Sequence, residues 1–154
     1  MNPNEHWNIL PATQEEKEWG ARVMAATDPW ITLQFSIEQC RKSCLDPHYN
    51  MYIAHQNSMP CGMILLDPRG VAGSPYIKTI AVQEDFRGKG IGSALIAFTE
   101  SVFQNESRHL FICVSSFNKK ARSLYERLGF HQVGEFKDYI VPGKSEILLY
   151  KSLH

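Results

Sequence analysis

Between Tyr76 and Val102 the chain runs through a β-branched apolar stretch, YIKTIAV, then a loop holding Gly88, Gly90 and Gly92 with Arg87 and Lys89, then an apolar stripe of Ile91, Ala94, Leu95, Phe98 and Val102. The first is strand chemistry and the last is one face of a helix. Glycine costs about 0.5–1 kcal/mol against alanine inside regular structure, so three at alternate positions need a reason. A strand feeding a helix through such a loop leaves unpaired N–H groups and a positive dipole end facing outward, with no Cβ to keep a ligand away. An anion fits there, and a diphosphate fits best when two cations flank the turn. Neither familiar phosphate loop matches. A P-loop would need a hydroxyl residue after Lys89 and a glycine at Gln83, and the dinucleotide fingerprint would need glycine at Ser93.

The rest of the chain is read around that unit. Thr13 with Glu16, and Ser36 with Gln39, are capping boxes, which predict a helix over about 13–26, ended by Asp28-Pro29, and a shorter one through IEQCRKSCL. NMYIAHQN and PCGMILLD read as two strands about a turn at Asn57 to Pro60, and DPRGVAGSP reads as loop. HLFICV is an unbroken apolar strand of the kind covered on both faces. NKKARSLYERLGF supplies an N-cap in Asn118, a face of Ala121, Leu124, Tyr125 and Leu128, and a stop at Gly129. HQVGEFKDYIV and SEILLYK flank Pro142-Gly143 as a closing hairpin. The expected fold class is α+β: one domain over residues 1–154, a mostly antiparallel twisted sheet of about six to seven strands with one parallel pair in the middle, and about four helices.

Composition narrows the function classes. Sixteen basic residues balance sixteen acidic ones, so no global positive field points to nucleic acid. No stretch approaches the ~20 apolar residues of a membrane span. MNPNEHWNILPATQEEKEWG has acids where a secretory leader would have a basic start, so a cytoplasmic protein is expected. Cys40, Cys44, Cys61 and Cys113 have no metal-site spacing, and reduced structural thiols and no metal are expected.

Arg87-Gly88-Lys89-Gly90-Ile91-Gly92 resembles the Gln/Arg-x-x-Gly-x-Gly/Ala motif of the GCN5-related N-acetyltransferase (GNAT) superfamily, and Asn118, Ala121, Tyr125 and Gly129-Phe130 stand at the spacing of that family's later motif. The resemblance implies the GNAT fold, with the strand before the glycine loop splayed from the next one and the pantetheine of acetyl-CoA between them. It implies that Ile80, Ala81 and Val82 hold the pantetheine, with an N–H near Val82 polarising the thioester, and that the amides from Arg87 through Gly88, Lys89, Gly90, Ile91 and Gly92 to Ser93 take the diphosphate. It further implies that Asn118 and Ala121 lie against the coenzyme and that Tyr125 protonates the departing thiolate. The implied reaction is transfer of acetyl from acetyl-CoA to a primary amine of a small molecule, a protein N-terminus or a lysine, by direct attack in a ternary complex, with a homodimer through the closing hairpin. Positions where relatives place a base hold Tyr76, Lys78 and Cys113, while Glu84, Asp138, Glu146 and His55 have no motif behind them, so no base is assigned. That gap leaves a rival reading, a catalytically silent acyl-CoA-binding sensor. The acceptor site is implied to lie over Trp30 to Cys44 and Phe136 to Ser145, among Trp30, Phe35, Glu38, Asp138 and Tyr139.

Overall fold

The computed structural model describes residues 7–154. The six before them, part of the stretch read as unlike a secretory leader, lie outside the described residues. In chain order the elements are β1 (Asn8–Pro11), α1 (Gln14–Ala25), α2 (Ile37–Cys44), β2 (Asn50–Gln56), β3 (Met59–Val71), β4 (Ser74–Val82), α3 (Ile91–Phe103), β5 (His109–Ser115), α4 (Lys119–Arg127), β6 (His131–Phe136) and β7 (Glu146–Ser152). They form a seven-stranded sheet in the order β1-β2-β3-β4-β5-β7-β6. Every neighbouring pair is antiparallel except β4 and β5, which are parallel and joined through α3.

Local chemistry accounts for most boundaries. In α1, Thr13 Oγ1 accepts from the Glu16 amide at 3.2 Å while Glu16 Oε1 accepts from the Thr13 amide at 3.0 Å. In α2, Ser36 and Gln39 make the same exchange at 3.1 and 2.8 Å. Each box satisfies two N–H groups that the first turn leaves without partners. Arg41 then ties the two helices together, its guanidinium donating to both Glu18 oxygens at 2.8 and 2.9 Å. The β2–β3 hairpin turns on Asn57 and Ser58, both at positive φ.

Alternation along the strands gives the sheet two apolar faces. Ile64, Leu66, Ile112, Val114, Ile147 and Leu149 pack under α3 and α4, against Ile91, Leu95, Ile96 and Tyr125. Met51, Ile53, Met63, Leu65 and Ala81 pack under α1 and α2, against Ala21, Met24, Cys40 and Cys44. All four cysteines are reduced, and burial pushes the Cys44 thiol up to about 12.

Three sequence expectations are corrected. DPRGVAGSP is not a loop: β3 continues to Val71, only Ala72 and Gly73 turn, and β4 begins at Ser74, so most of the stretch is a hairpin arm. Residues 8–11, not foreseen as a strand, form the edge strand β1 against β2. The closing strands do pair, but β6 ends at Phe136 and nine residues, 137–145, separate it from β7, which lies between β5 and β6. Among the described residues no helix is long and apolar enough to cross a membrane.

Candidate active site

The site begins where the two parallel strands part. β4 and β5 pair at Tyr76 with Phe111 and at Ile77 with Ile112, and at no later position among the described residues, although β4 runs on to Val82 and β5 to Ser115. Divergence begins at an irregularity: Leu66 faces Ile77 and Leu65 faces Thr79 across β3 and β4, leaving Lys78 as the extra residue of a bulge. A bulge bends its strand and turns it locally, which carries Thr79 to Val82 away from β5. The opening is a cleft of about 540 Å³ whose wall includes Ile80, Ala81 and Val82 on one side and Cys113, Val114 and Ser115 on the other.

One end of the cleft is closed by α3 and α4, through Gly92, Asn118, Ala121, Leu124 and Tyr125. The other is closed by Trp30, Leu33 and Phe35 ahead of α2, with Phe136 and Tyr139 from the end of β6 and the loop after it. Of the residues implied by the family motif, the cleft therefore gathers Ile80, Ala81, Val82, Gly92, Asn118, Ala121 and Tyr125. Arg87, Gly88, Lys89 and Gly90 form an exposed rim at the start of α3, Ser93 is half-buried behind them, and Ile91 is a core side chain at 1% exposure.

The glycines answer to two different constraints. Gly88 and Gly90 have φ of +76° and +88°, a region that disfavours any Cβ, and a Cβ on either would meet nothing within 4 Å. They shape the turn and leave open space before it. Gly92 has ordinary φ, and there a Cβ would lie 3.4 Å from Leu124. The first bond within α3 runs from the Ala94 amide to the Gly90 carbonyl at 3.0 Å, so the amides of Ile91, Gly92 and Ser93 precede the helix's own ladder.

The two cations are arranged otherwise than their spacing suggests. Arg87 folds back along β4, Nε donating to the Val82 carbonyl and Nη2 to Thr27 Oγ1, each at 3.2 Å. Its amide donates to the Glu84 carbonyl in a 3-10 turn. Lys89 lies over the Phe86 ring, its Nζ 5.5 Å from the centroid. Asn118 caps α4, its Oδ1 accepting from the Ala121 amide at 3.4 Å. Tyr125 is 6% exposed, edge-on to Phe130, and burial pushes its hydroxyl well above the usual phenol range.

On the opposite face Tyr76, Cys113, Ser115 and Glu146 meet. Burial raises both Tyr76 and Cys113, which are in side-chain contact. Burial also raises the Glu146 carboxyl, against the pull of Ser115, whose Oγ donates to Glu146 Oε2 at 2.7 Å. Sequence spacing could not single out Glu146, because it becomes notable only through its pairing with Ser115 on β5. Trp30, Phe35 and Tyr139 line the cleft as the acceptor stretches imply. Glu38 and Asp138 do not: Glu38 pairs with Arg41 at 3.3 Å, and Asp138 accepts from the Gly143 amide at 2.6 Å within its own loop.

A mixed sheet opened at its parallel pair, with a helix N-terminus beside the opening, is the fold of the GNAT acetyltransferases among solved structures. Residues 8–130 match the model of the acetyltransferase (GNAT) family, and the chain belongs to that family. Among solved structures, a GNAT family acetyltransferase from Elizabethkingia anophelis with acetyl-CoA bound superposes with a TM-score of 0.76 at 22% identity, over 96% of this chain and 99% of that one. The ribosomal-protein-S18-alanine N-acetyltransferase from Escherichia coli superposes with a TM-score of 0.77 at 16% identity, over 96% and 94%. In sequence, an N-acetylaspartate synthetase from Danio rerio is 30% identical over 93 residues, 60% of this chain and 33% of that protein. An N-alpha-acetyltransferase from Saccharolobus solfataricus is 30% identical over 80 residues, 51% of this chain and 48% of that protein. The matches thus span a third to about half of these relatives' lengths.

Proposed function

We propose that this chain is an N-acetyltransferase that moves the acetyl group of acetyl-CoA onto a primary amine by direct attack in a ternary complex. The observation that carries this reading is the separation of β4 from β5 after Ile77, which opens a mostly apolar slot beside a helix N-terminus. The residues present fit the coenzyme. The open space in front of Gly88 and Gly90, with the amides from Gly88 to Ser93 around the start of α3, suits a linked diphosphate, and the strand edge of Ile80, Ala81 and Val82 offers backbone groups to the amides of a pantetheine arm. The thioester supplies an activated acyl carbon and a sulfur leaving group.

The chain's own groups then have defined work. Backbone donors near Val82 would stabilise charge developing on the thioester oxygen, and such donors are worth about 3–4 kcal/mol each where that has been measured. The sulfur leaves as a thiolate of ordinary pKa about 8.5 and needs a proton. Tyr125, on the cleft wall and protonated at neutral pH like any phenol, supplies it. Trp30, Phe35 and Tyr139 line the end where the amine would enter, and favour an acceptor with an apolar or aromatic body over a polyelectrolyte. The relatives' names, one an aspartate acetylator and one an N-alpha-acetyltransferase, suggest free amino acids and peptide N-termini as the first acceptors to try.

Calorimetry with CoA, followed by release of free thiol from acetyl-CoA across an amine panel, tests the reading. Saturable CoA binding together with turnover of at least one amine is expected. Absence of CoA binding at millimolar concentration overturns it, and tight binding without any turnover replaces it by the sensor reading.

A further inference from the structure

Resting on the acetyl-transfer reading, we propose that Glu146 is the catalytic base, taking the proton of the acceptor amine from the sheet face opposite to Tyr125. Strand register sets the sides. On β5, Leu110, Ile112 and Val114 are buried in the core under α3 and α4, so Phe111, Cys113 and Ser115 project to the other face. Pairing sets Glu146 against Ser115 and Leu148 against Cys113, and so places both on that second face. Tyr125 comes from α4, on the first. Both Tyr125 and Glu146 line the cleft between the separated strands. A thioester lying in the gap would meet a hydroxyl from one side and a carboxylate from the other, and an amine entering past Trp30 and Tyr139 would arrive on the carboxylate's side.

Glu146 is held in place and is not consumed by an ion pair. Ser115 Oγ fixes one oxygen, and the strand ends are clamped just before it, the Ser116 amide donating to the Ser145 carbonyl at 2.9 Å and the Ser145 amide to Ser116 Oγ at 3.1 Å. Among the described residues no cation makes a salt bridge to Glu146. The titratable groups near it are Tyr76 from β4, Cys113 from β5 and Tyr139 from the loop, while Lys78 and Asp28 line other parts of the same cleft. Lys78 is drawn off over the Tyr49 ring, 5.0 Å from its centroid. A carboxylate among phenols and a thiol, raised by burial toward the amine it serves, is a better base than a solvated one.

The step balances. The amine lone pair forms the N–C bond while the carbonyl electrons move to oxygen, and the proton then carried by nitrogen passes to Glu146. Collapse of the oxyanion breaks the C–S bond, and the thiolate takes the Tyr125 proton. Exchange with water deprotonates Glu146 and reprotonates Tyr125, so free amine and thioester become amide and thiol with no net proton change.

The test uses the full chain, acetyl-CoA, and whichever amine turns over among aspartate, phenylethylamine and unblocked tetrapeptides. Glu146→Gln should lower kcat by about 100-fold or more, the usual scale of general-base catalysis. It should also abolish the acid limb of the pH–rate profile, with CoA affinity by calorimetry unchanged. Glu146→Asp should recover part of the rate. Because the Ser115 bond holds the Glu146 carboxyl down, Ser115→Ala should move the acid limb to higher pH. A Glu146→Gln variant that binds CoA and keeps its rate or its acid limb overturns the base. Failure of the unsubstituted chain to turn over any amine would instead overturn the acetyl-transfer reading, and the base with it.

Discussion

Tyr125 shows how far a single position can be read. Its place on the apolar stripe of α4 predicts a core aromatic, which its 6% exposure bears out, and its spacing from Asn118 implies a proton donor, the role proposed for it on the cleft wall. Tyr125→Phe should leave CoA affinity within about 3-fold and lower kcat about 10²-fold, read by calorimetry and thiol release on one preparation. Glu16, in the capping box of α1, is read through stability instead. Burial raises its carboxyl, but the Thr13 amide and the His55 ring outweigh that and leave it below the ordinary 4.5. A carboxyl depressed by folding stabilises the native state above its unfolded pKa and loses that contribution as pH falls through the folded value. Urea midpoints should therefore drop below pH about 4.5, and Glu16→Gln should flatten the decline. Thr13→Ala, which removes the same box, should cost about 1 kcal/mol at neutral pH. Both capping boxes were legible because they are contacts three residues apart, whereas Glu146 was not, because its partner Ser115 is 31 residues away.

At the scale of elements, local chemistry located the four helices and the strands that carry a clear apolar pattern. It failed where pairing overrides composition. Asp67 to Pro75 has the glycine, proline and serine of a loop, yet Val71 pairs with Ser74 and the stretch stays extended as an arm. Residues 8–11 carry a proline and are mostly exposed, so nothing in their alternation marks a strand until β2 lies beside them. The interposition of β7 between β5 and β6 was equally hidden, because alternation names a strand's faces and not its neighbours. Contact between α3 and the sheet depends on Gly62 in β3, where a Cβ would lie 2.7 Å from Ile91 Cγ2. Gly62→Ala should push α3 outward at a cost of about 1–3 kcal/mol, seen as a lower urea midpoint. Because α3 also carries the glycine loop, the same substitution should weaken CoA binding, which a surface glycine such as Gly73 should not do when replaced.

Across the whole molecule, the parallel pair makes a seam. Five strand pairings run along most of their length, and the sixth, between β4 and β5, holds only at Tyr76 and Ile77. Hydrogen exchange should reflect this: with CoA added, peptides spanning Lys78 to Val82 and Gly88 to Ser93 should gain protection, while Tyr76 and Ile77, already paired, should change little. Uniform protection of all three segments before CoA is added would contradict a seam that opens after Ile77. Two half-sheets sharing one short stitch have a further property. A guest lying along the seam would serve as the missing strand, joining β1–β4 to β5–β7, so saturation should raise the midpoint of thermal unfolding for the entire fold and not only quieten the glycine loop.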